Sequence, residues 1–268
     1  MKQLIYQVYT GKKSRLYDYC TESVEEYAKR IGADYVVQRT PILRIKPDPF
    51  TTNRSKESYE KHGGYLPIYE KENAFSYLDT YDQIAIIDAD IWVRPTCDRS
   101  IFDAAGSDCD FAGVLERDMP CTPQYSGKIA NYSRMQYGVP GINQLFDWKC
   151  PKSRGADFYN MGMMVLNKSI NKYLKGMTPR EFLTQTKFKP FIDGQGAWKW
   201  STDQTLLNVW VKAEKMKVNN LSFHWNGLFT GIEMDSIKEC NFVHFFLKDK
   251  LPNRGENIEE LMRHMYHV

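Results

Sequence analysis

Apolar and polar positions in the first forty residues follow the order strand, helix, strand. Leu4-Ile5-Tyr6-Gln7-Val8-Tyr9 is a nearly continuous apolar stretch closed by Thr10-Gly11, as in a strand covered on both faces. Apolar residues then recur at Leu16, Cys20, Val24, Tyr27, Ala28 and Ile31, ahead of Gly32. That spacing predicts an amphipathic helix with a glycine at its end. Asp34 to Val37 reads as a second strand. A helix-sized crossover between two strands predicts parallel pairing with a right-handed connection. The expected fold is therefore α/β, Rossmann-like, with a mostly parallel central sheet flanked by helices.

Beyond residue 40 the pattern breaks. Thr40 to Pro67 carries Pro41, Pro47, Pro49, Gly63, Gly64 and Pro67 among many charges and reads as one long loop, a candidate lid. Helical spacing returns over Glu70–Tyr81. Ile84-Ala85-Ile86-Ile87 is a buried-strand run that ends in Asp88-Ala89-Asp90. Asp110 to Val114 is a further strand. Glu116 to Arg154 is polar and aromatic with little periodicity, the candidate acceptor-side insertion, and it is the second segment expected to order over a ligand. Phe158 to Asn167 reads as a loop turning into a buried strand, Pro179 to Thr186 as a helix, and Thr202 as the cap of a helix entered by Asp203-Gln204. Asn241 to Phe246 is a short apolar run around His244, and Asn257 to Val268 a terminal amphipathic helix.

Candidate chemistry begins at Asp88-Ala89-Asp90. The carboxyl edge of an open α/β sheet is where such folds bind ligands. Side chains two apart in an extended segment point the same way, so both carboxylates are expected to face one hard cation such as Mn²⁺ or Mg²⁺. The turn Thr10-Gly11 is expected at the same edge.

Composition narrows the class only a little. A chain of 268 residues with 42% hydrophobic and 14% aromatic content supports one large domain with aromatics to spare for a cleft. A net charge of +3 is too mild to indicate a nucleic-acid partner. Cys20, Cys97, Cys109, Cys121, Cys150 and Cys240 form no C-x-x-C pair, so they read as reduced thiols rather than zinc ligands or staples. No stretch approaches the roughly 18 apolar residues of a membrane span, and no apolar leader precedes Leu4. The expected location is cytoplasmic.

The order of these landmarks resembles the metal-dependent GT-A glycosyltransferases, most closely glycosyltransferase family 8. Tyr81-Asp82 with Ile84 to Asp90 is similar to the family's aspartate-pair strand. Lys71, eleven residues before Asp82, stands where the family places a basic donor contact, usually Arg. Tyr159-Asn160-Met161-Gly162 is similar to its "F-N-(S/A)-G" segment, and Asp203-Gln204 with Asn208 to "D-Q-x-x-x-N". His244 with Lys250 is similar to "H-(Y/F)-x-G-x-x-K-P-W", with Leu247 in place of the glycine and Leu251-Pro252 in place of Pro-Trp.

The resemblance implies a single GT-A-like domain: a nucleotide-binding half over 1–115, an acceptor and catalytic half over 116–252, and a C-terminal helix over 253–268. It implies Asp88, Asp90 and His244 as ligands of Mn²⁺ (or Mg²⁺). Thr10, Gly11, Lys71, Asp88, Ala89, Asn160, Gly162 and Lys250 become donor contacts, with Asp203 and Gln204 catalytic. The implied partners are a nucleoside-diphosphate sugar, UDP-linked glucose, galactose or xylose being favoured, and a glycan or other hydroxyl acceptor. Transfer with retention is implied, with Gln204 near the reacting carbon. An acidic residue poised as base, for example Asp157 or Asp193, would argue against retention. Asn226, after Trp225, is a candidate acceptor contact. Two other readings keep the fold: a sugar nucleotidyltransferase, which would want a glycine-rich basic loop after the first strand where Thr10-Gly11-Lys12-Lys13 has one glycine, and an inactive carbohydrate-binding relative.

Overall fold

The computed structural model describes residues 1–149 and 155–266; Cys150 and the last two residues of the expected terminal segment lie outside them. Nine strands form among the described residues: β1 (Gln3–Val8), β2 (Asp34–Gln38), β3 (Gln83–Ile87), β4 (Ile91–Val93), β5 (Phe111–Leu115), β6 (Tyr159–Asn167), β7 (Val218–Asn220), β8 (Gly227–Leu228) and β9 (Phe242–His244). Six of them make the main sheet in the order β2-β1-β3-β6-β5-β7, and β4-β9-β8 make a second, smaller sheet.

The expected parallel unit is present. β1 pairs in parallel with β2 on one side and β3 on the other, and the helix Arg15–Ile31 between β1 and β2 ends at Gly32 with φ 71, a left-handed position that glycine takes without strain. β6 alone runs against the rest, antiparallel to both β3 and β5. Five strands therefore share one carboxyl edge, and β6 starts there. The ends of β3 and β5 and the start of β6 meet at that edge, because Ile87 pairs with Met163 and Leu115 with Tyr159. All five residues of β3 and all nine of β6 are buried. A helical and 3₁₀-rich layer covers each face of the sheet, with separate apolar clusters around Val24, Trp92 and Phe242 on one side and Tyr69, Phe182 and Trp210 on the other.

Three expectations change. The 116–154 stretch holds a fifteen-residue helix, Pro123–Tyr137. Its signal was Thr122-Pro123: the Thr122 hydroxyl accepts from the Tyr125 amide and Pro123 opens the first turn. Its weak apolar stripe hid the rest. The helical spacing after residue 67 is an eleven-residue 3₁₀ run, Pro67–Tyr77. The Thr40–Pro67 loop is anchored at several points. Glu70 accepts the amides of Ile42, Leu43 and Arg44 at 2.7, 3.0 and 2.6 Å. Asp193 accepts from the Asp48 amide and the Thr51 hydroxyl at 2.8 and 2.7 Å. Arg54 donates to the carbonyls of Phe191, Ile192 and Ser201.

Candidate active site at the seam of two sheets

Asp88 follows the last residue of β3, and its amide continues the ladder by donating to Gly162 O of β6 at 2.7 Å. Ala89 and Asp90 then form a tight turn closed by Ile91 N–H to Asp88 O at 3.1 Å. The two carboxylates converge through this turn, rather than through the alternation of an extended strand. The turn sends the chain out of the main sheet into β4, which pairs antiparallel with β9, Ile91 opposite His244. The Phe245 amide donates to Asp90 O at 2.8 Å. His244 thereby arrives beside the aspartates from the second sheet. Its Nε2 lies 3.3 Å from Asp90 Oδ1 and 4.0 Å from Asp88 Oδ2.

The ligand atoms of Asp88, Asp90 and His244 all lie within 4.8 Å of one another. Two carboxylates and an imidazole nitrogen on one concave surface fit a divalent cation of the Mn²⁺ kind. Burial pushes the Asp88 carboxyl up to about 6 against the pull of Lys71, although about a quarter of the side chain, 26%, stays open to the cleft. Burial also raises Asp90 and lowers His244, but the attraction between the two outweighs it. Asp90 is held below its ordinary value and His244 above. A cation would relieve the crowding of carboxylates that this pairing only partly offsets.

Lys71 stands behind the aspartates, with its side chain 7% exposed. Its ammonium reaches Asp88 Oδ1 at 2.8 Å, Asp203 Oδ2 at 2.7 Å and the Met161 carbonyl at 3.0 Å. All three of its protons are used, so contact with a donor phosphate would require one of them to be exchanged. Asp203 is therefore an ion-pair partner at the start of the helix Asp203–Ala213, and Thr202 occupies the cap position without a side-chain cap bond. Glu72, on the same 3₁₀ run as Lys71, is buried with neither carboxyl oxygen hydrogen-bonded. Burial raises its carboxyl well above the ordinary range, which favours the neutral form.

The cleft has two chambers that share Ile68, Lys71, Asp88 and Asp90. The smaller, about 270 Å³, is lined by Tyr9, Thr10, Gly11, Tyr17 and Ala89. The larger, about 610 Å³, contains Asn160, Gly162, Asp203, Gln204 and His244, walled by Tyr125, Ile129 and Tyr132 of the 123–137 helix and by Phe246. Gln204 Oε1 accepts the Met161 amide at 3.1 Å, so the group it has left to offer is its NH₂. Lys250 is exposed outside this lining, beside Lys128, whose charge lowers its pKa. Leu247, where the resembled motif has glycine, sits at φ 59.

Residues that sequence reasoning missed are Glu116 and the helix carrying Tyr125 and Lys128. Glu116 follows β5, is buried, and lines the larger chamber. Burial pushes its carboxyl up to about 7 against hydrogen bonds from Asn160, Gln204 and Tyr125. No pattern in the sequence marks it, because only the pairing of β5 with β6 brings it to the site. Asn160 lies within β6 and not in a turn. Asn226 is fully buried behind His244, with its Oδ1 3.0 Å from His244 Nδ1, which removes it as an acceptor contact. Asp157 pairs with Lys212 and Asp193 with Lys189 and the 48–52 loop; neither lines the cleft. Among the described residues no helix is long and apolar enough to cross a membrane.

No family model and no curated protein sequence matches the chain. Solved structures do. An active-site mutant of LgtC matches with a TM-score of 0.50 and 10% identity, covering 99% of this chain and 97% of that one. A galactosyltransferase LgtC in complex with donor and acceptor sugar analogs matches at TM-score 0.46 and 12% identity, over 91% and 87% of the two chains. A glycosyltransferase involved in the glycosylation of the major capsid of PBCV-1 matches at TM-score 0.47 and 13% identity, over the whole of both. At these identities the likeness is one of fold, and the fold is the GT-A type seen in glycosyltransferases.

Proposed function

We propose that this protein is a metal-dependent glycosyltransferase that moves a sugar from a nucleoside diphosphate to a glycan or other hydroxyl acceptor. The observation that carries the reading is the Asp88-Asp90-His244 cluster at the junction of two chambers. In this reading the smaller chamber, at Thr10 and Gly11, takes the nucleoside, and residues 1–115 form the nucleotide-binding half. The larger chamber takes the transferred sugar and the acceptor, with residues 116–252 supplying Asn160, Gly162, Asp203 and Gln204. Asp88, Asp90 and His244 hold Mn²⁺ or Mg²⁺, whose chemistry is to offset the negative charge that builds on the departing diphosphate. Lys250, beside Lys128, adds positive charge at the mouth.

Two features of the side chains favour retention by a front-side transfer. Gln204 has its oxygen occupied by the Met161 amide, and its NH₂, shared with Glu116, is what it can offer the cleft, which makes it a donor to the sugar or leaving group and a poor nucleophile. Lys71 fixes Asp203 in place, so that carboxylate is positioned rather than free. The preferred donor is a UDP-sugar. The nucleotidyltransferase reading gains nothing from the first turn, since Gly11 is followed by two exposed lysines and no glycine-rich cradle.

The test is calorimetry of UDP with and without Mn²⁺ on the wild-type chain and Asp90→Ala, followed by a panel of UDP-sugars scored for metal-dependent hydrolysis. Metal-dependent UDP binding that is lost in Asp90→Ala is the expected result. Equal UDP affinity in both proteins, or pyrophosphate release from a nucleoside triphosphate and a sugar phosphate, would sink the assignment.

A further inference from the structure

The hydrogen bonds behind His244 have a direction, and we infer from it that Asn226 is a positioning residue: it holds a proton on Nδ1 of His244 and so leaves Nε2, beside Asp88 and Asp90, as the nitrogen that can bind a cation. The inference deepens the metal-site reading above and rests on it. Four segments supply the chain: Glu116 after β5, Asn160 and Gly162 in β6, Asn226 just before β8, and His244 in β9.

The direction is set at the backbone end of the hydrogen-bond chain. The Gly162 amide can only donate, and it donates to Asn160 Oδ1 at 3.0 Å. Asn160 therefore turns its NH₂ the other way, where it donates to Glu116 Oε1 at 2.6 Å. Asn160 Oδ1 also accepts from Asn226 Nδ2 at 2.8 Å. With its NH₂ used there, Asn226 faces the histidine with Oδ1, 3.0 Å from Nδ1. An amide oxygen only accepts, so Nδ1 carries a proton. Reversing Asn226 alone would set two amide oxygens against each other. Reversing Asn160 as well would set its NH₂ against the Gly162 N–H.

Burial makes the direction binding. Asn226 is 0% exposed, and Glu116, Asn160 and His244 are 4%, 6% and 5% exposed, so behind the ring water does not replace a lost partner, and a mismatched pair costs free energy. Neutral imidazole has one N–H. With that proton on Nδ1, Nε2, the atom 3.3 Å from Asp90, is the nitrogen bared when a cation displaces its proton. Partners of this kind, one step behind a ligating histidine, fix its ring orientation and tautomer.

The test uses the full chain, Mn²⁺ calorimetry and ¹⁵N NMR of the His244 ring. In Asn226→Leu, which keeps volume and removes the acceptor, Mn²⁺ affinity falls about 10–100-fold and the Nδ1 proton is no longer held. Glu116→Gln still offers an oxygen to Asn160, so ring protonation stays as in the wild type and Mn²⁺ affinity changes by less than about threefold, well short of the loss expected when such a partner is removed. Wild-type Mn²⁺ affinity in Asn226→Leu overturns the inference, as does a ring that, once neutral, still keeps its proton on Nδ1 in that variant. In the metal-free wild-type protein Nδ1 is expected to be protonated, and a bare Nδ1 there overturns the inference whatever the metal result. Absence of Mn²⁺ binding by the wild type, with Nδ1 protonated, would refute the metal-site reading and leave the hydrogen-bond direction standing.

Discussion

Replacing Lys71 by methionine tests how the cleft tolerates its own acids. The substitution keeps the length of the side chain and removes an ammonium that binds Asp88, Asp203 and a backbone carbonyl at 2.8, 2.7 and 3.0 Å. Hydrogen bonds to charged groups contribute about 1.5–3 kcal/mol each, and breaking a buried ion pair by removing one partner typically costs about 3–5 kcal/mol. Lys71→Met is expected to lose about 4 kcal/mol at pH 7, or about 8–16 °C in Tm at roughly 2–4 °C per kcal/mol for a chain of this size. The loss should shrink in acid. Asp88 already has its carboxyl pushed up to about 6 with the lysine present, and without it the folded protein takes up a proton at still higher pH. A group whose folded pKa is raised adds stability as pH falls toward its unfolded value, so the gap between mutant and wild type narrows from pH 7 to pH 5. The assay is denaturant and thermal unfolding at both pH values, with Asp203→Asn and the double variant completing a cycle. A loss below about 1 kcal/mol, independent of pH and additive with Asp203→Asn, would refute the buried-triad account, since a value that small is what exposed pairs give.

Other predictions are narrower. Glu116 has its carboxyl raised from the ordinary 4.5 to about 7; its favourable contribution is complete below the ordinary value and is lost as pH rises through 7. Glu116→Gln should therefore remove roughly 3 kcal/mol of pH-dependent stability across that window, read as urea midpoints at pH 4.5 and 7.5; parallel curves for both proteins would count against it. A Cβ on Gly162 would meet His244 Cε1, Nδ1 at 2.7 Å and Asn160 Oδ1 at 2.9 Å, so Gly162→Ala should displace the ring and weaken Mn²⁺ binding about 10–100-fold in calorimetry, and unchanged affinity would mean the ring is not held there. Asp193→Ala releases the 48–52 loop and should lower stability by about 1–3 kcal/mol while opening that loop to limited proteolysis; an unaltered cleavage pattern would show the loop is held by other means. Leu247→Gly relieves a left-handed backbone that costs a non-glycine residue about 1–2 kcal/mol and should leave stability unchanged or slightly higher, because added chain entropy offsets part of the gain.

Much of the scaffold was legible because its signals are local. The 15–31 helix, β1, β2 and β3 lie where apolar spacing and Gly32 put them. Asp88, Asp90 and His244 converge as their order implied, yet the reason is different: a turn hands the chain to a second sheet, and only the β4–β9 pairing brings His244 across. Non-local pairing also explains what was missed. Glu116 carries no motif and becomes a cleft residue through β5 pairing with β6. Asn226 read as a candidate acceptor contact because sequence says nothing of the His244 ring nitrogen beside it. Lys71 stood out only by its spacing as a donor contact, and its ion pair with Asp203, 132 positions later, shows in the structure alone.

The path of the chain at Asp88 has one more consequence. Asp88 terminates a strand of the large sheet, His244 belongs to the small one, and Asp90 lies in the turn that joins them. An ion held by all three would act as a rivet through two independent hydrogen-bonded layers, and occupancy would become a property of the whole molecule. At a free concentration one hundred times its dissociation constant, such a ligand adds about 2.7 kcal/mol to the folded state. Removing it frees the small sheet, with the terminal helix Ile258–Tyr266 docked beside it through Tyr266 on Trp92, to open ahead of the rest. In the apo protein amide exchange would then be fastest in β8, β9 and that helix, and the thermal midpoint would report metal content as faithfully as a binding assay.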